Sequence, residues 1–298
     1  MADTAGVVHG LQVLYPDTEW PAFPFTHLRL WDCFTYWRDL HVAPGVFDFS
    51  RLDWVIEHAR ARGVTNITYT FGMTPAWAAS NPNSTNHAPW LNPGCNSAPV
   101  DMGHWDAFVA AMVTRYAGRI GSWQIWNEPQ LKWFWDGSMT VLAEMTRRAT
   151  RIIGDIDDRA KIIAAPVLPT LGDCGETYLR ALKAVGWPVD IWTAHVYPPA
   201  GATAVQWGNA IREWKWTLRD LKAPRKPLWV TETNANHGHG PIPTARVPKW
   251  MDAVDRQALE LGVARVYWYA YGSHSDTSLL GIPLTAGTPG SRWIARHQ

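Results

Sequence analysis

The chain has 298 residues, 47% of them apolar and 18% charged, which suffices for one large domain around a sizeable core. Its 27 basic and 26 acidic residues leave a net charge of +1, which gives no electrostatic footprint for nucleic acid or an anionic membrane. No apolar run approaches the roughly 20 residues a membrane helix needs, and the opening MADTAGVV lacks the basic-then-apolar pattern of a secretion signal.

VVHGLQ (7–12) is the first predicted strand, followed by YPDTEWPAFPF, the one connection without a helical period. HLRLWD (27–32) is the second. Ser50 then reads as the N-cap of RLDWVIEHARARG, a helix closed by Gly63. NITYTFG (66–72) leads through a Pro-, Asn- and Trp-rich loop to a helix over 104–118. SWQIWNE (122–128) and KIIAAPV (161–167) flank a helix over 138–154, and DIWTAHVY (190–197) lies between helices over 176–186 and 202–221. PLWVTET (227–233), a helix over 247–262, RVYWYAY (265–271) and a closing helix over 291–297 complete the chain. Several strands are near-continuous apolar runs, as parallel strands covered by helices are.

Eight strands alternating with helices predict a single (β/α)₈ TIM barrel, one catalytic domain over 1–298. The competing doubly wound sheet calls for a Gly-rich phosphate loop after strand 1, and HGLQVLYPD is not one. Trp is abundant, 20 in all, and Trp77, Trp90, Trp133, Trp135 and Trp207 stand beside loop-forming residues. Indole faces stack on the C–H faces of sugars, although plain packing competes with that reading for each. Cys95 and Cys174 both lie in Gly-rich loops where one disulfide would suit an exported or cell-surface protein, leaving Cys33 free. Oligomeric state is not indicated.

In such a barrel reactive side chains gather where strands end. The second predicted strand ends Arg29-Leu30-Trp31-Asp32, the fourth Asn127-Glu128, the sixth His195-Val196-Tyr197 and the seventh Glu232-Thr233-Asn234; the eighth carries Trp268. Two glutamates therefore face each other across the mouth. Glycoside hydrolysis needs such a pair, one protonated and one ionised, with environments that push their pKa values apart. Glu128, between Trp126 and Pro129, is placed to be the desolvated acid; Arg29 and Tyr197 are placed to hold Glu232 ionised. A rim salt bridge is the rival for either glutamate alone.

WNEP (126–129) and WVTET (229–233), in this order, resemble the clan A retaining glycoside hydrolases. Arg29 stands at the place of the clan's strand-2 arginine. Gly45-Val46-Phe47-Asp48-Phe49-Ser50-Arg51-Leu52-Asp53 and Thr74-Pro75-Ala76-Trp77-Ala78 look most like families 39 and 5. The resemblance covers about residues 7–272. It implies double displacement without a cofactor or metal: Glu128 as acid/base, Glu232 as nucleophile and Asn127 on the sugar 2-hydroxyl. It further implies that Arg29 and Tyr197 orient Glu232, that His195 lines the pocket and that Trp268 floors it.

Trp77 and Trp133 are candidate sugar-stacking residues, as are Asp17, Glu19, Trp20, Trp90, Asn92, Asn96, Trp135 and Asp136 in the neighbouring loops. Loops of this composition suit an extended groove and internal cleavage of an oligo- or polysaccharide. His237-Gly238-His239 has the look of a metal pair, but strand 1 offers only His9 as a further ligand, so a solvated cleft rim is the better reading. A catalytically inactive carbohydrate-binding barrel and a transglycosylase using the same residues are the alternatives.

Overall fold

The computed structural model describes residues 6–87, 91–169, 171, 174–198, 202–235, 242–272, 282 and 284–298, with Cys174 as backbone only. Its eight parallel barrel strands are β1 (Val8–Val13), β2 (His27–Leu30), β3 (Asn66–Phe71), β4 (Ser122–Ile125), β5 (Lys161–Ile163), β6 (Trp192–Val196), β7 (Leu228–Thr233) and β8 (Val263–Tyr271). All eight predicted strands are present. The helices are α1 (Trp37–Leu40), α2 (Ser50–Ala61), α3 (Met102–Tyr116), α4 (Met139–Ile156), α5 (Cys174–Ala184), α6 (Ala204–Asp220), α7 (Val247–Glu260) and α8 (Pro289–Arg296). Each strand from β2 onward is followed by its helix, and β1 has none, as its connection predicted. No described helix is long and apolar enough to cross a membrane.

The strands hydrogen-bond in the order β5-β4-β3-β2-β1-β8-β7-β6. The ring closes between β5 and β6 through isolated pairings, Ile163 with Ile191 and Val167 with Ala194. Backbone bonds Ala164 N–H to Ile191 O (3.0 Å) and His195 N–H to Val167 O (2.9 Å) bridge that seam. A short hairpin (41–43 with 46–47), absent from the predicted elements, sits between α1 and α2. Ser50 is the first residue of α2 rather than its cap: the Asp48 carboxylate accepts from the Ser50 N–H at 3.0 Å and hydroxyl at 2.6 Å. An acid before the helix can take the orphan N–H that the serine was expected to take.

Two cores follow from alternation. Outward residues of every strand join the helices in one large apolar layer, which includes Trp105, Trp123, Trp207 and Trp293. Inside the barrel, Ile163, Ile191, Trp229 and Tyr267 make a small apolar plug. Gly10 is required beside it, because a Cβ there would fall 2.5 Å from the Tyr267 ring. Above the plug the interior turns polar. Thr68 bonds the Tyr267 hydroxyl (3.0 Å), and Gln124 accepts from Thr70 (3.1 Å). Buried polar groups in this number must be paired, and that layer carries the mouth of the barrel.

Candidate active site

Alternation predicts that neighbours such as Asn127 and Glu128 point to opposite faces. They do not. Trp126 and Glu128 adopt left-handed backbone angles, φ 76° and 37°, costing about 1–3 kcal/mol each. This kink turns both Asn127 and Glu128 into the barrel. The Trp126 indole anchors it, donating to Phe134 O at 2.8 Å and packing edge-on against Trp135. On β7 the same end is reached by a bulge. Ala194 pairs with Val230 but His195 with Glu232, so β7 carries one extra residue there. Thr231 and Glu232 consequently both face inward.

Arg29, fully buried, is the hub. Its Nε donates to Gln124 Oε1 (2.7 Å), Nη1 to Gln12 Oε1 (3.0 Å) and Glu232 Oε1 (2.6 Å), and Nη2 to Asn127 Oδ1 (2.7 Å). The Tyr197 hydroxyl donates to Glu232 Oε2 at 2.7 Å. Glu128 Oε1 lies 2.7 Å from His195 Nδ1, whose other ring nitrogen lies 3.1 Å from Thr231 Oγ1. Thr231 in turn accepts from Gln124 Nε2 at 3.1 Å. A carboxylate oxygen of Glu128, one of Glu232 and a ring nitrogen of His195 lie within 4.8 Å of one another.

The electrostatics separate the two glutamates. Burial pushes Glu128 well above its ordinary range, and the nearby Glu232 charge pushes it further. Burial also raises Glu232, but the Arg29 guanidinium and the Tyr197 hydroxyl pull it back. Glu232 is therefore the first of the pair to lose its proton. Burial, with Arg29 beside it, holds His195 neutral, well below its ordinary 6.5. These three side chains could geometrically ligate a cation. Both Glu232 oxygens and both His195 nitrogens are already hydrogen-bonded, however, and a guanidinium at 2.6 Å opposes further positive charge.

The raised Glu128 value has a consequence for stability. Between the unfolded value of 4.5 and the folded one, the unfolded chain has released a proton that the fold retains, so stability falls as pH rises. The slope reaches about 1.4 kcal/mol per pH unit. Glu128→Gln has no proton to lose there. Its melting temperature should gain on the native chain steadily from pH 4.5 upward in scanning calorimetry, and a constant difference would contradict the burial argument.

Of the residues singled out in the sequence, Arg29, Asn127, Glu128, His195, Tyr197 and Glu232 converge. Trp268 does not floor this pocket. It points outward, fully buried, donating to His9 Nδ1 at 3.2 Å and packing on Trp250 and Trp293 of α7 and α8. The inward residue of β8 at the mouth is Tyr269, whose hydroxyl donates to Asp32 Oδ2 at 2.7 Å; Tyr36 donates to Asp32 Oδ1. Trp77 packs between His41 and His104 and donates to His41 O (3.0 Å), set against the hairpin and α3. Trp135 and Trp207 are core, the latter on α6, whereas Trp133 is 49% exposed on the loop after β4. Trp90, His237-Gly238-His239 and the Cys174 side chain lie outside the described residues. Cys33 and Cys95 are buried free thiols, so the Cys95–Cys174 disulfide is not formed.

Gln12, Gln124, Thr231, Asp32 and Tyr269 were not singled out as site residues. The signal for the two glutamines was available: an amide inside the apolar runs HGLQV and SWQIW must find buried partners.

No protein-family model matches the chain, and no curated protein matches it. Solved structures do. The glucosidase from Croceicoccus marinus superposes at TM-score 0.70 with 14% identity, covering 92% of this chain, which spans only 61% of that one. The monomeric β-xylosidase from Caulobacter crescentus CB15 gives 0.72 and 18%, over 98% of this chain and 68% of the other. Xylanase 10B from Thermotoga petrophila gives 0.65 and 12%, over 98% and 94%. Matches extend to a GH53 catalytic domain from Ignisphaera aggregans at 0.60. At these identities the likeness is one of fold: the chain is a single (β/α)₈ TIM barrel similar to those of clan A glycoside hydrolases.

Proposed function

We propose that the chain is a retaining glycoside hydrolase that cleaves an oligo- or polysaccharide internally by double displacement. The observation that carries this reading is the closeness of two carboxyl groups in unlike surroundings. Retaining enzymes hold their carboxyl groups about 5–5.5 Å apart and inverting ones about 6.5–9.5 Å. Oxygens of Glu128 and Glu232 lie within 4.8 Å of each other, a closeness that supports the retaining arrangement.

Glu232, held by Arg29 and Tyr197, attacks the anomeric carbon while Glu128 gives its proton to the departing oxygen. Glu128, now ionised, takes a proton from the water that releases the glycosyl-enzyme. In this reading the Thr231 hydroxyl, which accepts from Gln124, donates its hydrogen bond to His195 Nε2. His195 then carries its hydrogen on Nδ1 and donates to Glu128 Oε1, which leaves Oε2 as the proton-bearing oxygen. Arg29 occupies Asn127 Oδ1 and so offers the amide NH₂ to the sugar 2-hydroxyl. The exposed Trp133 supplies a stacking face beside the mouth and favours a bound chain longer than one sugar.

Incubation with a panel of plant, fungal and bacterial polysaccharides, followed by proton NMR of the first products, tests the mechanism. New reducing ends should appear with the anomeric configuration of the bond cleaved. Inverted products would refute retention, and products only of single-sugar size would refute internal cleavage.

A further inference from the structure

A cationic cleft lies at the opposite end of the barrel from the two glutamates. A cavity of about 700 Å³ opens beside Trp192 and Leu228, the first residues of β6 and β7, whereas His195 and Glu232 stand at the other ends of these strands. Its volume lies within the range of ligand pockets, about 300–1,000 Å³. Arg212, Lys215, Arg219, Arg225 and Lys226 line it together with Trp216, and no carboxylate does. Five cations concentrated on one cleft stand out in a chain of net charge +1.

None of the five is paired with a carboxylate among the described residues. Arg212 donates to the amide oxygens of Asn209 (3.0 Å) and Gln257 (3.2 Å), and Lys215 to Leu261 O (2.7 Å). Lys226 donates to Trp187 O (3.1 Å) and Val189 O, and sits over the Trp192 ring. Arg219 and Arg225 make no side-chain hydrogen bond or ion pair among the described residues. Asp190 acts on Lys226 through space only. Arg219 and Arg225 are thus exposed and unspent, and the other three are met by neutral oxygens alone among the described residues, so the cleft keeps its positive charge.

Their arrangement selects the ligand. Arg212, Lys215 and Arg219 recur about once per turn along α6, roughly 5.4 Å apart, and form a row instead of a single anion hole. Trp216 lies within that row with 58% of its surface exposed. A row of cations interrupted by a bare indole fits a polymer that carries carboxylates on successive units and offers apolar C–H faces between them. We propose that this cleft binds an acidic, uronate-containing polysaccharide and tethers the enzyme to it. The site rests on the reading of the chain as a polysaccharide hydrolase.

Electrophoresis of the native protein in gels containing polygalacturonate, or its fully methyl-esterified form, tests the assignment. The acid polymer should retard the protein, added salt should weaken the effect, and the ester should leave migration unchanged. The double variant Arg219→Glu/Arg225→Glu should lose retardation, and Trp216→Ala should bind about tenfold more weakly. All three residues are exposed, so unchanged melting temperatures certify the fold. Equal retardation by acid and ester, or of native and double-variant protein, overturns the site. If Trp216→Ala binds like the native chain and polyphosphate retards it equally, the cleft is a non-specific anion surface and the sugar assignment falls. Hydrolysis of the best neutral substrate should stay at the native rate in both variants. A protein that is retarded but hydrolyses nothing loses the proposed function and keeps this site; one that hydrolyses without retardation loses the site alone.

Discussion

Glu232→Ala should turn over its best substrate on the order of 10⁵-fold more slowly than the native chain, about 7 kcal/mol of barrier, because the proposed nucleophile is gone. Azide should then restore release of an activated aryl leaving group. Its terminal nitrogen attacks the anomeric carbon from the face that Glu232 occupied, the aryl oxide departs, and the product is a glycosyl azide of inverted configuration. Glu128→Ala should behave differently, since its covalent intermediate still forms with a good leaving group and azide intercepts it with net retention. Glu232→Gln preserves the shape of the site and controls for folding, because removal of a partner of the buried Arg29 costs stability as well as rate. Hydrolysis by folded Glu232→Gln at the native rate, or an azide product of retained configuration from Glu232→Ala, would assign the nucleophile elsewhere.

Arg29→Met should be the most damaging change away from the reacting atoms. One guanidinium serves Gln12, Gln124, Glu232 and Asn127, all inside the barrel. Removal leaves the buried Glu232 carboxylate without its cation and strands the amide oxygens of Gln12 and Asn127, while Gln124 keeps its Thr70 donor; the expected loss is about 3–5 kcal/mol in stability. Activity should fall about 10²–10³-fold, as when one preorganised donor is lost. A second readout separates electrostatics from unfolding. Without the cation the Glu232 carboxyl holds its proton to higher pH, so the acid limb of kcat/KM moves upward, and the basic limb set by Glu128 rises with it because Arg29 lowers that group too. Arg29→Lys keeps a charge but loses the planar fork, and should lie between the two. An acid limb unmoved in folded Arg29→Met would show that Arg29 has no part in ionising Glu232.

The alternation of strands and helices was plain in the sequence because each strand is a short apolar run and each helix has its period. The pair of glutamates was legible for a related reason: a carboxylate that ends a buried run is costly unless it is used. What the pattern hid is local. In VARVYWYAY nearly every residue is apolar or aromatic, so nothing marks which face is inner, and a one-residue slip exchanges Trp268 for Tyr269. The left-handed turn at Trp126 and Glu128 and the bulge at Thr231 leave no compositional trace. These are irregularities of backbone, while the residues around them read as ordinary strand. Trp135 and Trp207 misled for the opposite reason: neighbours typical of loops accompany side chains that pack into the core.

The ring is not equally stiff all round. Along β2, β3 and β4 the pairing runs residue by residue, but β5 contributes three residues and meets the segment before β6 through scattered bonds. Compliance concentrates at such sparsely bonded edges. His195 stands on β6 beside that edge, and its partner Glu128 and the hub Arg29 are carried by the continuously paired strands β4 and β2. Small movements of that wall therefore shift the hydrogen-bond partner of Glu128 before they reach the strand that carries Arg29.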